Sequence, residues 1–171
     1  MKVKKVGIVS LGCPRNLVDS QNLLGTLHAK GYEIVDIQKA DIGLVNTCAF
    51  IEDAKKESID AILDLISLKK KGRLKKIIVA GCLPERYKEA LLPHLKEVDA
   101  FMGKLGLSTD KGKSYALIPH HFAYLKISEG CNHPCSFCII PTIKGKLQSR
   151  AIGAIVKEAK ALDEEGKSEI N

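Results

Sequence analysis

The stretch IGLVNTCAFIEDAKKESIDAILDLISLKKKGRLKKIIVAGC, residues 42–82, reads as a strand, a helix and a second strand. Residues 42–47 are a short apolar run, residues 52–68 carry apolar side chains at helical spacing, and residues 76–80 are apolar again. Two such strands joined by a helix are typical of a βαβ unit with parallel strands. A cysteine follows each of the two strands.

The same alternation continues on both sides of this unit. Further strands and helices are indicated at residues 5–11, 17–30, 32–37, 85–92 and 98–102. Strands that alternate with helices predict a mostly parallel sheet. We therefore predict an α/β fold, in which residues 1–102 form a parallel-sheet βαβ domain of the flavodoxin-like kind.

A second unit is predicted after a linker. Residues 103–121 contain glycine, proline and small polar residues without sustained periodicity, which is typical of a linker. Residues 122–128 then read as a strand, and residues 151–165 as a helix with an apolar stripe. Because one βα unit cannot close a sheet or bury its own helix, we expect residues 122–171 to be the truncated start of a larger domain.

Composition and charge narrow the class of protein. No secretory signal is recognisable, and no run approaches the roughly 18 apolar residues that a membrane span needs, so we expect a cytoplasmic protein without a membrane partner. Thiols stay reduced in that compartment, and the six cysteines therefore favour metal binding or catalysis over disulfides. Much of the net charge of +7 lies in residues 69–76, which we interpret as a solvated helix end.

Three upstream cysteines occupy equivalent places in the predicted sheet. Cys13, Cys48 and Cys82 each follow a strand and precede a helix. Because the carboxyl ends of parallel strands meet at one edge of a sheet, we expect the three thiols to converge there. The helix starts would favour the thiolate forms. The alternative for each cysteine taken singly is a small buried apolar side chain.

The downstream cysteines lie in one short loop with the spacing Cys131-x3-Cys135-x2-Cys138. Three thiolates can hold three irons of a 4Fe-4S cluster, and the fourth iron is then open to a substrate or cofactor. Structural zinc is the rival interpretation, with His133 as a nominal fourth ligand, although its position between the first two cysteines is unusual.

The residues around both cysteine groups resemble the radical S-adenosylmethionine methylthiotransferases. The resemblance rests on residues 11–20, 46–48, 80–87, 124–132 and 137–141. It implies that residues 122–171 begin a radical S-adenosylmethionine (βα) barrel. Since most of such a barrel is missing, we expect this chain alone to be inactive.

The resemblance also implies cofactors and ligands. A 4Fe-4S cluster that binds S-adenosylmethionine would be held by Cys131, Cys135 and Cys138, with Phe137 near the adenine ring. An auxiliary 4Fe-4S cluster that carries the sulfur to be transferred would be held by Cys13, Cys48 and Cys82. The alternatives are a structural zinc module and an inactive cluster-binding or electron-transfer protein.

Two branches of this family differ in substrate. The RimO type modifies an aspartate of a small-subunit ribosomal protein, and the MiaB type modifies an adenosine of transfer RNA. Residues 50–51, 54–59, 85–87 and 139–141 resemble the RimO type. The expected partners are therefore a ribosomal protein or the ribosome, together with an electron donor, and transfer RNA is the less favoured substrate.

Overall fold

Five parallel strands organise the N-terminal half in the computed structural model, which describes residues 3–105 and 115–171. They are β1 (Lys5–Ser10), β2 (Glu33–Ile34), β3 (Ile42–Thr47), β4 (Lys76–Gly81) and β5 (Ala100–Phe101). Their order across the sheet is β2-β1-β3-β4-β5, which is the strand order of flavodoxin-like folds. The predicted α/β class with a parallel sheet is confirmed.

Helices α1 (Pro14–Ala29), α2 (Glu52–Lys70) and α3 (Cys82–Leu91) connect these strands. The core forms where Val45 and Val79, both fully buried, pack with Ile62 and Leu65 of α2. Helical spacing predicts one apolar face of α2 formed by Ile59, Ile62, Leu63 and Ile66. In the structure this face is slightly rotated, because Leu65 is buried whereas Leu63 is 49% exposed.

The predicted strand over residues 32–37 is shorter in the structure. After β2 the chain enters a 3-10 turn, Ile37–Lys39, in which the Asp36 carboxylate accepts a hydrogen bond from the Gln38 amide at 2.8 Å. The turn packs directly over Gly7 of β1, where a β-carbon would lie 2.7 Å from the Ile37 α-carbon. A close approach between two backbone segments produces no apolar periodicity, so this turn could not be predicted from the sequence pattern.

The second unit is more divided than its sequence suggests. It contains β6 (Phe122–Ala123), β7 (Ser128–Glu129), α4 (Ile140–Lys144), β8 (Gln148–Ser149), α5 (Ile152–Glu164) and β9 (Glu169–Ile170). The predicted strand over 122–128 is split, because β6 pairs in parallel with β9 whereas β7 pairs antiparallel with β8. Every residue of α5 is at least partly exposed. The domain boundaries remain predictions, and residues 106–114 of the predicted linker lie outside the described residues.

The basic run at residues 69–76 lies where α2 ends, and ion pairs hold several of its members. The Lys69, Lys70 and Lys75 ammonium groups lie 2.6, 2.9 and 2.7 Å from carboxylate oxygens of Asp99, Glu97 and Asp41, respectively. The interpretation as a helix end agrees with this arrangement. Across residues 3–105 and 115–171, no helix combines the length and apolar character needed to cross a membrane.

We expect Asp99→Asn to lower the melting temperature at pH 7. Burial opposes ionisation of Asp99, but hydrogen bonds from Lys69 and from the Ile77 amide keep the pKa of this carboxyl below its usual value. A group with a lowered pKa contributes stability above its unfolded-state pKa and loses that contribution as the pH falls through its folded-state pKa. The difference between wild type and variant should therefore narrow below about pH 4.

Thermal unfolding followed by circular dichroism between pH 7 and pH 3 measures this difference. Asp64→Asn, at an exposed position of α2, is the matched control and should change the melting temperature little at any of these pH values. A difference for Asp99→Asn that stayed constant with pH would contradict the prediction.

Candidate functional site

The three upstream cysteines lie at one edge of the sheet. β3 and β4 pair in register up to Thr47 and Gly81, so Cys48 and Cys82 come one residue past their last paired positions. Cys13 follows β1 and immediately precedes α1. In this strand order, the gap between β1 and β3 at the carboxyl ends is the place where flavodoxin-like folds bind their ligands. The three upstream cysteines therefore lie at the edge of the sheet where ligands bind in folds of this kind.

A cavity of about 680 Å³ opens at this edge, and all three cysteines line it. Gly12 shapes the cavity, because a β-carbon at this residue would lie 3.0 Å from the Cys48 sulfur. The Gly12 φ of +88° is also one that glycine adopts without strain. Phe50 and Ile51 add an exposed apolar wall. The cavity therefore presents three thiols beside the backbone of Gly12.

Asn16 joins the three loops that carry these cysteines. Its fully buried side-chain amide donates to the Leu11 carbonyl at 3.2 Å and to the Thr47 carbonyl at 2.8 Å, just ahead of the first two cysteines. Its Oδ1 accepts from the Cys82 thiol at 3.7 Å. The sequence allows two interpretations of Asn16: a turn or cap residue, which is favoured for the residue taken singly, or a residue that orients loops through hydrogen bonds. The contacts support the second interpretation. One side chain thus sets the relative positions of three loops.

Three further buried polar residues hold the same loops. Asn46 donates to the Asn16 carbonyl at 2.8 Å, and Thr47 donates to the Ala80 carbonyl at 2.6 Å. Ser58 of α2, which the sequence analysis did not identify, accepts from the Cys48 amide at 3.0 Å and donates to the Cys48 carbonyl at 2.9 Å. A serine on the apolar side of a helix is the signal that could have revealed it, because such a group is buried only with a partner.

Burial raises the pKa of the Cys82 thiol above its usual value, and the neighbouring Cys48 and Cys13 sulfurs raise it further, although Lys144 opposes them. This result differs from the expectation that the helix start would favour the thiolate. Cys82 is the first residue of α3 but lies in the interior, and desolvation exceeds the helix dipole. Without a bound cation, its thiol therefore holds its proton more tightly than a free cysteine.

Within residues 3–105 and 115–171, no group of three His, Cys, Asp or Glu side chains is arranged to hold a metal ion. A single zinc ion needs every sulfur about 2.3 Å from one point. In a 4Fe-4S cluster each thiolate binds a different iron atom, so the sulfur atoms are farther apart than around a single zinc ion. The assignment of Cys13, Cys48 and Cys82 as ligands remains a prediction.

The downstream cysteines lie in an open loop between β7 and α4. Cys135 is exposed, whereas Cys131 and Cys138 are partly buried. The loop is closed at its base, where the Cys131 amide donates to the Gly145 carbonyl at 3.1 Å. Inside it, the His133 amide lies 3.5 Å from the Cys131 sulfur, so this residue meets the thiol through its backbone. Phe137 is 91% exposed and is therefore available to a ligand.

Helix α4 connects the two cysteine regions. It begins two residues after Cys138, and its residues Ile140, Ile143 and Lys144 line the upstream cavity. The downstream loop is thus joined directly to a wall of the upstream site. One short helix thus follows the downstream loop and lines the upstream cavity.

Comparison with known proteins identifies a family for the segment that contains the upstream site. Residues 5–103 match the model of a family described as Uncharacterized protein family UPF0004. This segment carries the sheet and all three upstream cysteines.

Curated relatives match the chain along nearly its full length. A protein of Bdellovibrio bacteriovorus named ribosomal protein uS12 methylthiotransferase RimO is 47% identical over 98% of this chain and 42% of its own length. Proteins of the same name from Solibacter usitatus and Sulfurihydrogenibium sp. are each 46% identical, over 98% and 100% of this chain and 41% and 42% of their own lengths. The chain thus spans about two fifths of these relatives.

Proposed function

The chain belongs to the UPF0004 family and is a sequence of the RimO methylthiotransferase type, and from this membership we propose that it is the front part of a radical S-adenosylmethionine methylthiotransferase. The proposed reaction adds a methylthio group to an aspartate of a small-subunit ribosomal protein. The observation that carries the proposal is the cavity lined by Cys13, Cys48 and Cys82. A ribosomal substrate places the reaction in the cytoplasm.

We assign the cysteine residues to two 4Fe-4S clusters. Cys13, Cys48 and Cys82 would hold the auxiliary cluster, and Cys131, Cys135 and Cys138 would hold the cluster that binds S-adenosylmethionine. When bound, these groups supply one-electron chemistry and the sulfur for transfer. The chain itself would provide the thiolate ligands, position the two clusters and control access to them. An external electron donor would be its partner.

Each cysteine region supplies a suitable environment for its part. In the upstream site, Gly12 keeps the backbone close to the Cys48 sulfur, and Phe50 and Ile51 shield one side of the cavity from water. In the downstream loop, exposed Phe137 can stack on the adenine of S-adenosylmethionine. The thiols of both regions have to lose their protons when iron binds, so loading should release protons.

Anaerobic reconstitution with iron and sulfide tests the cofactor assignment. We expect about eight irons per chain, because each 4Fe-4S cluster contributes four. Replacing the three upstream cysteines by serine should remove about half of this iron, and replacing the three downstream cysteines should remove about the other half. His133→Ala is the matched control and should leave the iron content unchanged. One or two zinc ions without iron would reject the clusters.

The substrate is tested separately with a full-length enzyme that contains this segment. With S-adenosylmethionine and a reductant, we expect 5′-deoxyadenosine and a mass gain on the ribosomal protein. Cluster loading without 5′-deoxyadenosine would indicate an electron-transfer protein instead. A mass gain on transfer RNA would reject the ribosomal substrate but retain the enzyme class.

A further inference from the structure

A closed ring of four buried charges joins the two units of the chain. The Lys126 ammonium contacts the carboxylates of Asp19, at 2.6 Å, and Glu129. The Lys144 ammonium contacts the same two carboxylates, at 3.5 Å and 3.3 Å. Each cation thus meets both anions, and the four side chains are only 2–6% exposed. We call these four residues the charge ring.

The members of the charge ring come from both cysteine regions. Asp19 lies on α1, the helix that starts directly after Cys13. Glu129 precedes the downstream cysteine loop, and Lys144 ends the helix that follows it. The ring therefore ties both stems of the downstream loop to the helix of the first upstream cysteine.

Backbone contacts at the same place leave the downstream loop little freedom of its own. A β-carbon at Gly130 would lie 2.3 Å from the Lys146 carbonyl oxygen, so the two stems are in direct contact. The side chain of Lys104, in the predicted linker, donates to the Lys144 carbonyl at 2.8 Å. Lys144 also lines the upstream cavity. A movement of the loop would therefore displace a wall of the upstream site.

We propose that Asp19, Lys126, Glu129 and Lys144 are positioning residues that lock the downstream cysteine loop onto the N-terminal domain and so set its placement relative to the upstream cysteines. This proposal depends on the function proposed above only in the roles that it gives to the upstream and downstream cysteines. Four paired charges in the interior cost desolvation energy, and apolar residues could fill the same space at no loss of stability. The charge ring instead defines a geometry, because each charged side chain is compatible with only a few positions of its partners.

Hydrogen–deuterium exchange of the metal-free 171-residue chain, followed by mass spectrometry, tests the lock. Asp19→Asn breaks the ring from the N-terminal domain, and Glu129→Gln breaks it from the loop. We expect each change to speed amide exchange in residues 122–149 by more than about tenfold, because removing one partner leaves a buried charge uncompensated. Exchange in β3 and β4 should remain as in the wild type.

Two further variants distinguish a lock from general destabilisation. Asp19→Asn combined with Lys126→Met leaves the Glu129–Lys144 pair balanced, so the protein should fold yet still exchange faster in residues 122–149. Lys126→Arg keeps the charge and should retain wild-type protection. Wild-type exchange in the balanced variant, or faster exchange spread equally over β3 and β4, would overturn the proposal. Since no cluster is needed, failure of the proposed function would leave this result unaffected.

Discussion

Gly81→Ala is expected to lower the free energy of unfolding by about 2–6 kcal/mol, since backbone strain and overpacking each cost about 1–3 kcal/mol. Gly81 has a φ of +98°, which a residue with a β-carbon adopts only under strain. A β-carbon there would lie 2.4 Å from the Asn46 side-chain oxygen and 2.6 Å from the Thr47 carbonyl. Both neighbours are buried and end strand β3 directly before Cys48, so they cannot move without disturbing the upstream site.

Urea unfolding of the metal-free chain measures this loss. Gly31→Ala is the matched control, because Gly31 has a φ of +85° but no described heavy atom lies within 4 Å of its β-carbon position. It should cost only about 1–2 kcal/mol, the strain of the left-handed backbone alone. Equal losses for the two variants would show that the close contacts at Gly81 do not matter.

Asn16→Ala is the second change with a large expected effect. It removes the donor from two loop carbonyls and the acceptor from the Cys82 thiol. We expect the free energy of unfolding to fall by about 2–4 kcal/mol, because each buried group left without a partner costs about 1–3 kcal/mol. The upstream loops would also lose their common tie, so reconstituted iron should fall by about half, to about four per chain.

Asn22→Ala on the same helix provides the control. Asn22 is only partly buried, and its backbone carbonyl, which accepts from Thr26, is kept in the variant. Its stability and iron content should therefore remain close to those of the wild type. Wild-type iron content in Asn16→Ala would contradict a role for Asn16 in arranging the upstream site.

Sequence patterns are sufficient to predict the parallel sheet and the position of the upstream cysteines at one edge of it. β3, α2 and β4 each have a clear apolar period, and the rule that parallel strands end at one edge brings Cys48 and Cys82 together. The curated relatives agree with the family predicted from the cysteine motifs. The ligand assignments remain predictions until iron is measured.

Other features could not be predicted because they depend on contacts between distant residues. Asn16 looks like an ordinary turn residue until its partners at Leu11, Thr47 and Cys82 are known. Lys126 looks like a solvated lysine in a strand, but it turns inward to meet Asp19, which is 107 positions away in sequence. This inward turn coincides with the division of the predicted strand into β6 and β7. Charges that pair in the interior carry no periodic signal.

The wide spacing of the upstream cysteines has a consequence for biogenesis. Cys13, Cys48 and Cys82 come together only after β1, β3 and β4 have paired, whereas the downstream cysteines lie within eight consecutive residues. If both triads bind iron as proposed, the downstream loop needs only local chain closure, but the upstream site requires a completed sheet. Metal delivery to the upstream site would therefore have to wait for tertiary folding, and a slow-folding variant would accumulate as a half-loaded species.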